Sequence, residues 1–303
     1  MAMTNNVFKP ELWSKELTRL LNNYGVMIDC VNRDWEGEIK NQGDTVHIQQ
    51  ISDITVGTYD TDENIKYEDL KGTSQELVID QKKYWALKVD DIDEVQANVK
   101  LSDKFIRQAK IQIINTKDAY LHALGVAGVY SNNQLGTVAI NDSNIYSTFT
   151  KMFRLLSRTN AIDSDGKGAD GKNPFLILPP EVVEIVKNSP KAIQATNLGD
   201  QTIRKGTILQ FAGFDIKQST VVEYNNGFDI IAGTSEGITF ADQITKTESL
   251  RDKDSFSDLV RGLYLYGAKV VQPKCLASAK FTVTDAPTPT EPTEPTEPTS
   301  PGE

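Results

Sequence analysis

Hydrophobic and polar positions along the 303-residue chain alternate in its first third and take helical spacing further on. From Gly37 to Val89 the period is two. Val46 and Ile48 alternate with polar residues, the phase slips at Gln50 and Ile51, and Ile54 and Val56 resume it. Leu77, Ile79, Trp85, Leu87 and Val89 share one face of a second arm, which Gln81 and Lys83 interrupt. Between the arms lies the polar, largely acidic DTDENIKYEDLKGTSQ, so the pattern predicts a long hairpin with an exposed tip. Extended from Asp44 to Asp60, one arm reaches about 55 Å, longer than ordinary strands, and part of it is expected to project beyond its own domain.

Ahead of the hairpin, Pro10 to Tyr24 predicts a short amphipathic helix with Trp13, Leu17, Leu20, Leu21 and Tyr24 on one face and Gly25 as its stop. Behind it, Phe105, Ile106, Ala109, Ile113, Tyr120, Leu121 and Leu124 recur at helical steps. They predict a helix over 102–124 with Ser102 as N-cap and Gly125 as its end. A further helix over 143–158 rests on Phe149, Met152, Phe153, Leu155 and Leu156, and the loop DSDGKGADGKN then leads into a buried-type strand, PFLILP. The last third reads as PPEVVEIVKNSP in a helix, GTILQFAGFDIKQSTVV in strands around a turn, DIIAGTSEGITFA as strand and turn, and LVRGLYLYGAKVVQP as a long strand. The class expected is α+β.

Charge and cysteine content narrow the function. A net charge of −10 argues against a dedicated nucleic-acid reader, which shows a basic patch or stripe. Part of that excess sits in TDAPTPTEPTEPTEPTSPGE, where Asp285, Glu291, Glu294, Glu297 and Glu303 have no basic neighbour and nothing apolar is available to bury. A disordered tail with a polyproline II bias is expected there. Cys30 and Cys275 are far apart and outside any CxxC spacing, so free thiols in a reducing cytoplasm are expected, with neither a disulfide framework nor a zinc site. MAMTNNVFKPELW lacks a signal-peptide pattern, and no run approaches the roughly 20 apolar residues that span a bilayer; a soluble protein is expected.

Candidate chemistry is thin. Gly166 to Asn173 approaches the phosphate-binding loop GxxxxGK[ST], but a helix precedes it, a strand follows, and Asn173 replaces the hydroxyl that ligates magnesium. Asp163, Asp165 and Asp170, and later Asp252, Asp254 and Asp258, lack the Gly and Glu positions of a calcium loop. His47 and His122 stand in no catalytic motif. No catalytic, cofactor-binding or metal-ligating set is expected, and the chain reads as a non-enzyme.

The order of the pieces resembles the major capsid proteins of tailed bacteriophages, which have the Johnson or Hong Kong 97 fold. Four segments carry the resemblance: VDDIDEVQANVKLSDKFIRQAKIQIINTKDAYL, NPFLILPPEVVEIV, GTILQFAGFDIKQSTVV, and SEGITFADQITKTESLRDKDSFSDLVRGLYLYGAKVVQP with Arg251, Phe256, Arg261, Gly262, Tyr266 and Gly267. The resemblance implies an N-terminal arm (1–36), an extended loop formed by the hairpin (37–89) and a peripheral domain with the spine helix (90–173). It also implies an axial domain (174–272), a closing strand returning to the peripheral domain by about 282, and a tail (283–303).

It further implies a virion coat subunit, assembled in the bacterial cytoplasm. Pentamers and hexamers of many copies would form an icosahedral shell around double-stranded DNA, held non-specifically on its inner face. Implied partners are a portal, a decoration protein and, because so little chain precedes the hairpin, a separate scaffolding protein. No cofactor and no membrane are implied. An encapsulin-like compartment shares the fold and is the alternative.

Elementary physics agrees, since a projecting half-polar hairpin leaves edges for another chain to cover, and head-to-tail contacts close into rings. The residues expected between subunits are Trp13, Val46, Ile48, Ile54, Val56, Tyr59, Tyr67, Leu77, Ile79 and Trp85.

Overall fold

In the computed structural model, which describes residues 25–34, 45–51, 72–90, 100–190, 210–251, 253 and 257–283, three α-helices and three sheets form the frame. The expected helix over Pro10 to Tyr24 and the tail beyond Val283 lie outside the described residues. The first helix, α1, runs Lys100–Ala127, about 42 Å at 1.5 Å per residue, and extends past both expected ends. Its inward stripe is Ile114, Lys117, Asp118, Leu121 and Gly125, so two charged residues share a face with the apolar ones. Gly125 does not stop the helix. A β-carbon there would meet Ile231 at 2.4 Å, so the missing side chain lets α1 lie close on the sheet below it.

The second helix, α2 (Ile145–Arg158), starts two residues later than the pattern predicts. Asn141 and Asn144 shape the preceding turn: the Asn141 carboxamide oxygen accepts from the Ser143 and Asn144 amides, and Asn144 Nδ2 donates to the Ala139 carbonyl. α2 buries Ile145, Thr148, Phe149, Met152 and Leu156 at three- and four-residue steps. The third helix, α3 (Pro180–Asn188), opens on a proline whose fixed φ suits the first turn.

Eleven strands make the sheets among the described residues. β1 (Thr45–Ile51) and β2 (Gly72–Val78) pair as a ribbon. β3 (Gln81–Asp90), β10 (Ser257–Val270) and β9 (Ile238–Arg251) form an antiparallel sheet in that order. The six-stranded sheet runs β4 (Gln134–Ala139), β11 (Leu276–Thr282), β8 (Phe228–Gly233), β5 (Phe175–Leu178), β7 (Phe214–Gln218), β6 (Gln210–Phe211). Its centre is buried on both faces: Ile230 and Ile231 are both fully covered, with α1 against Ile231 and Phe149 of α2 stacked on Phe281.

Two arrangements differ from the sequence pattern. The expected second arm, Leu77 to Val89, is two strands in different sheets, because β2 pairs with β1 while β3 pairs with β10. The six-stranded sheet also takes strands from both sides of position 173, since β11 lies between β4 and β8.

Candidate assembly surface

The ribbon β1–β2 is in register from Thr45 opposite Val78 to Ile51 opposite Gly72. Residues 52–71, which join the two strands, lie outside the described residues. Its root is seated on the rest of the chain. Ile48, Leu77 and Ile79 are buried with Ala241, Leu265 and Val271. Gln75 Nε2 donates to the Val271 carbonyl at 3.4 Å, and Lys269 Nζ donates to the Glu76 carbonyl at 3.0 Å. On β10, a β-carbon at Gly267 would come within 2.4 Å of the Val78 carbonyl oxygen, so only glycine admits the crossing.

Ile48, Leu77 and Ile79, expected to face another subunit, are thus covered by β9, β10 and the residue after β10 of the same chain. Their burial anchors the ribbon. Val46 stands in β1 opposite Leu77. Trp13, Ile54, Val56, Tyr59 and Tyr67 lie outside the described residues.

The three-stranded sheet has an inner and an outer face. Residues directly opposite in an antiparallel ladder point the same way. The register therefore groups Tyr84 with Leu263, Ala86 with Arg261 and Glu248, and Lys88 with Leu259 and Leu250. These form the outer face, where Tyr84 is 81% exposed and Leu250 and Leu263 are also open. Arg261 and Glu248 form an ion pair of 2.7 Å between the apolar residues. Trp85 points the other way, half-buried against the main core, so it is a packing residue of its own chain. Tyr84 is the exposed aromatic residue of this strand, and its phase, opposite to Trp85 in KKYW, is the signal that marks it.

The sheet's edges are β3 and β9. Near its start β9 is capped: the Asn32 amide donates to the Ile238 carbonyl and the Phe240 amide to the Asn32 carbonyl, each at 2.9 Å. Beyond that point the outer edge of β9 has no strand partner among the described residues, and unpaired edges are where another chain adds on.

Charged groups brace the inner face. Lys117, fully buried, pairs with Asp242 at 2.7 Å, and the Tyr264 hydroxyl donates to the same carboxylate oxygen. The ammonium also lies 4.9 Å from the ring centroids of Phe240 and Tyr264. Next to it, Asp118 Oδ2 accepts from the Val26 amide at 3.0 Å. Burial pushes the Asp118 carboxyl up to about 6, against the opposite pull of hydrogen bonds from the Val26 and Met27 amides. Together these contacts tie α1, the sheet and residues 25–34 into one body. A hydrophobic pattern does not mark either residue.

The glycine-rich run folds as two tight turns. The Asp163 amide donates to the Lys167 carbonyl and the Gly168 amide to the Lys172 carbonyl, each at 2.8 Å. The Asp163 carboxylate takes the Asp165 and Lys167 amides, and Asp170 takes the Lys172 amide and the Ser235 hydroxyl. These amides are bonded to their own loop and do not converge on a phosphate-sized cradle.

No protein-family model and no curated protein matches the chain by sequence. Its structure does match others. A structure from Mycobacterium phage Che8 is similar with a TM-score of 0.64 at 23% identity, covering 82% of this chain and 88% of that one. The capsid of Cyanophage P-SCSP1u is similar at 0.65 and 10% identity, covering 81% and 85%. The mature capsid of bacteriophage PhiM1 is similar at 0.63 and 12% identity, covering 84% and 88%. The mixed α and β architecture described above is therefore the fold of phage capsid structures.

Proposed function

We propose that the chain is the major capsid protein of a tailed phage, a structural subunit with the Hong Kong 97 arrangement of arm, extended loop, and peripheral and axial domains. The likeness to phage capsid structures over more than four-fifths of the chain carries the reading. A ribbon anchored at its root, with residues 52–71 still to come beyond its last described pair, and a half-apolar outer sheet face also support it. The ribbon of one copy lies across its neighbour, with Ile54, Val56, Tyr59 and Tyr67 in that contact and Trp13 in a second one made by the N-terminal arm.

Such a contact joins different surfaces of two copies, so repetition closes rings of five and six and then an icosahedral shell. Many modest contacts then hold the shell by multivalency. A scaffolding protein directs curvature, a portal occupies one vertex, and double-stranded DNA fills the interior through non-specific contacts. A decoration protein binds the outside. The finished subunit resides in the virion after assembly in the host cytoplasm.

Electron microscopy and sedimentation of the chain, co-expressed with the scaffolding protein of its phage, test this. Closed shells or ring-like capsomers are expected. A protein that stays monomeric under every assembly condition contradicts it.

A further inference from the structure

At 100° per residue, Ser147, Lys151, Arg154 and Arg158 of α2 fall within about 60° of one another around the helix, and all four are exposed. α2 contains no Asp or Glu. No ion pair engages Lys151, Arg154 or Arg158 among the described residues. A purely cationic stripe on a chain of net charge −10 calls for an anionic occupant.

The chain supplies one close by. The Ile140 amide donates to the Thr282 carbonyl at 3.0 Å, and Phe281 stacks on Phe149, so β11 delivers Val283 beside the start of α2. Beyond Val283 come Asp285, Glu291, Glu294, Glu297 and Glu303, with no Lys or Arg among them. We propose that the Thr-Glu-Pro segment of the chain docks its carboxylates on the Lys151, Arg154 and Arg158 stripe of its own α2.

Spacing and reach fit. In polyproline II conformation, with three residues per turn, neighbouring glutamates of the set Glu291, Glu294 and Glu297 stand about 9 Å apart on one edge, so two of them match the two ends of the stripe and the third overhangs it. Lys151 and Arg158 are about 10 Å apart along the helix axis, with Arg154 between them. Phe149 lies on the face of α2 opposite the stripe, so the segment must pass half-way round the helix, and the eight residues from Val283 to Glu291 reach about 25 Å, enough to bring Glu291 to Lys151. Each exposed pair is weak, on the order of 1 kcal/mol or less. The tether offsets part of that weakness, because it holds the carboxylates at an effective concentration in the millimolar range. Duplex DNA would compete for the same cations, and the tail therefore shields them.

Zero-length carbodiimide coupling of the full, unassembled chain tests the contact, with peptide mapping of the products. Lys151 is expected to join Glu291, Glu294 or Glu297 severalfold more than exposed Lys83 or Lys167 does, because only Lys151 lies in the stripe, and about 0.5 M salt is expected to remove the preference. In a mixture of isotopically heavy and light copies, the links stay within one copy. The triple variant E291Q/E294Q/E297Q, which changes none of the described residues, is expected to bind a short duplex DNA more tightly than the parent. Equal coupling at the three lysines, links found only between copies, or equal DNA binding by parent and variant each overturns the proposal.

Discussion

Trp85 and Gly262 are register partners, and the indole lies so close over the glycine that a β-carbon there would come within 2.3 Å of Nε1. Gly262→Ala is therefore expected to push the indole off β10 and to cost about 1–3 kcal/mol through overpacking. Urea unfolding of the unassembled subunit reads the cost, and a red shift in tryptophan emission reads the displacement. An unchanged midpoint and spectrum would show that the two strands part without strain.

Lys117 and Asp242 join α1 to β9 in a setting where the lysine is fully buried. Lys117→Met leaves the Asp242 carboxylate with the Tyr264 hydroxyl but without its cation, and a loss of about 3–5 kcal/mol is expected. Adding Asp242→Leu removes the stranded charge and should recover much of that loss. A double variant no more stable than the single one would contradict the pairing as the source of the effect.

These two sites mark how far the sequence could be read. Helices α1 and α2 and most strands were legible because their apolar residues repeat at 3.6 or 2. The switch from one sheet to another between Val78 and Asp80 was not. Leu77, Ile79 and Trp85 stay in the same phase across it despite the polar Gln81 and Lys83, and alternation reports which face is buried but not which strand lies alongside. β4 was missed because its residues are mostly exposed and Gly136 sits at φ 74°, which weakens the alternation. Of the residues expected between subunits, Ile48, Leu77 and Ile79 are covered by their own chain, and Trp85 is half-buried on it. Apolarity alone does not distinguish a core contact from an interface contact.

Asp118 should give the subunit a recognisable pH dependence. Burial raises its carboxyl from an ordinary 3.8 to about 6. A raised acid contributes full stability below the unfolded value, and that contribution is lost as pH rises through the folded one. Relative to Asp118→Asn, which keeps an oxygen for the Val26 amide, the parent is expected to lose on the order of 2–3 kcal/mol between about pH 4 and pH 7. Urea midpoints of both proteins across that range check it. A constant difference between them would contradict the assignment.

Tyr84 separates assembly from folding. Being 81% exposed on the outer sheet face, it contributes little to the isolated subunit. Tyr84→Asp is expected to change unfolding stability by about 0.5 kcal/mol or less, while lowering the yield of shells severalfold through a charge placed in an apolar contact. Sedimentation of assembly reactions measures the yield, and parent-like yields would remove Tyr84 from the contact.

The central claim, that the ribbon joins one copy to the next, is tested most directly by replacing residues 52–71 with Asn-Gly. That two-residue turn preserves the pairing of Ile51 with Gly72 and leaves the buried root at Ile48, Leu77 and Ile79 intact. Electron microscopy of parent and shortened chains, each expressed with the same scaffolding protein, provides the readout. The account predicts closed shells from the parent and only folded, unassembled subunits from the shortened chain; normal shells from the shortened chain would contradict it.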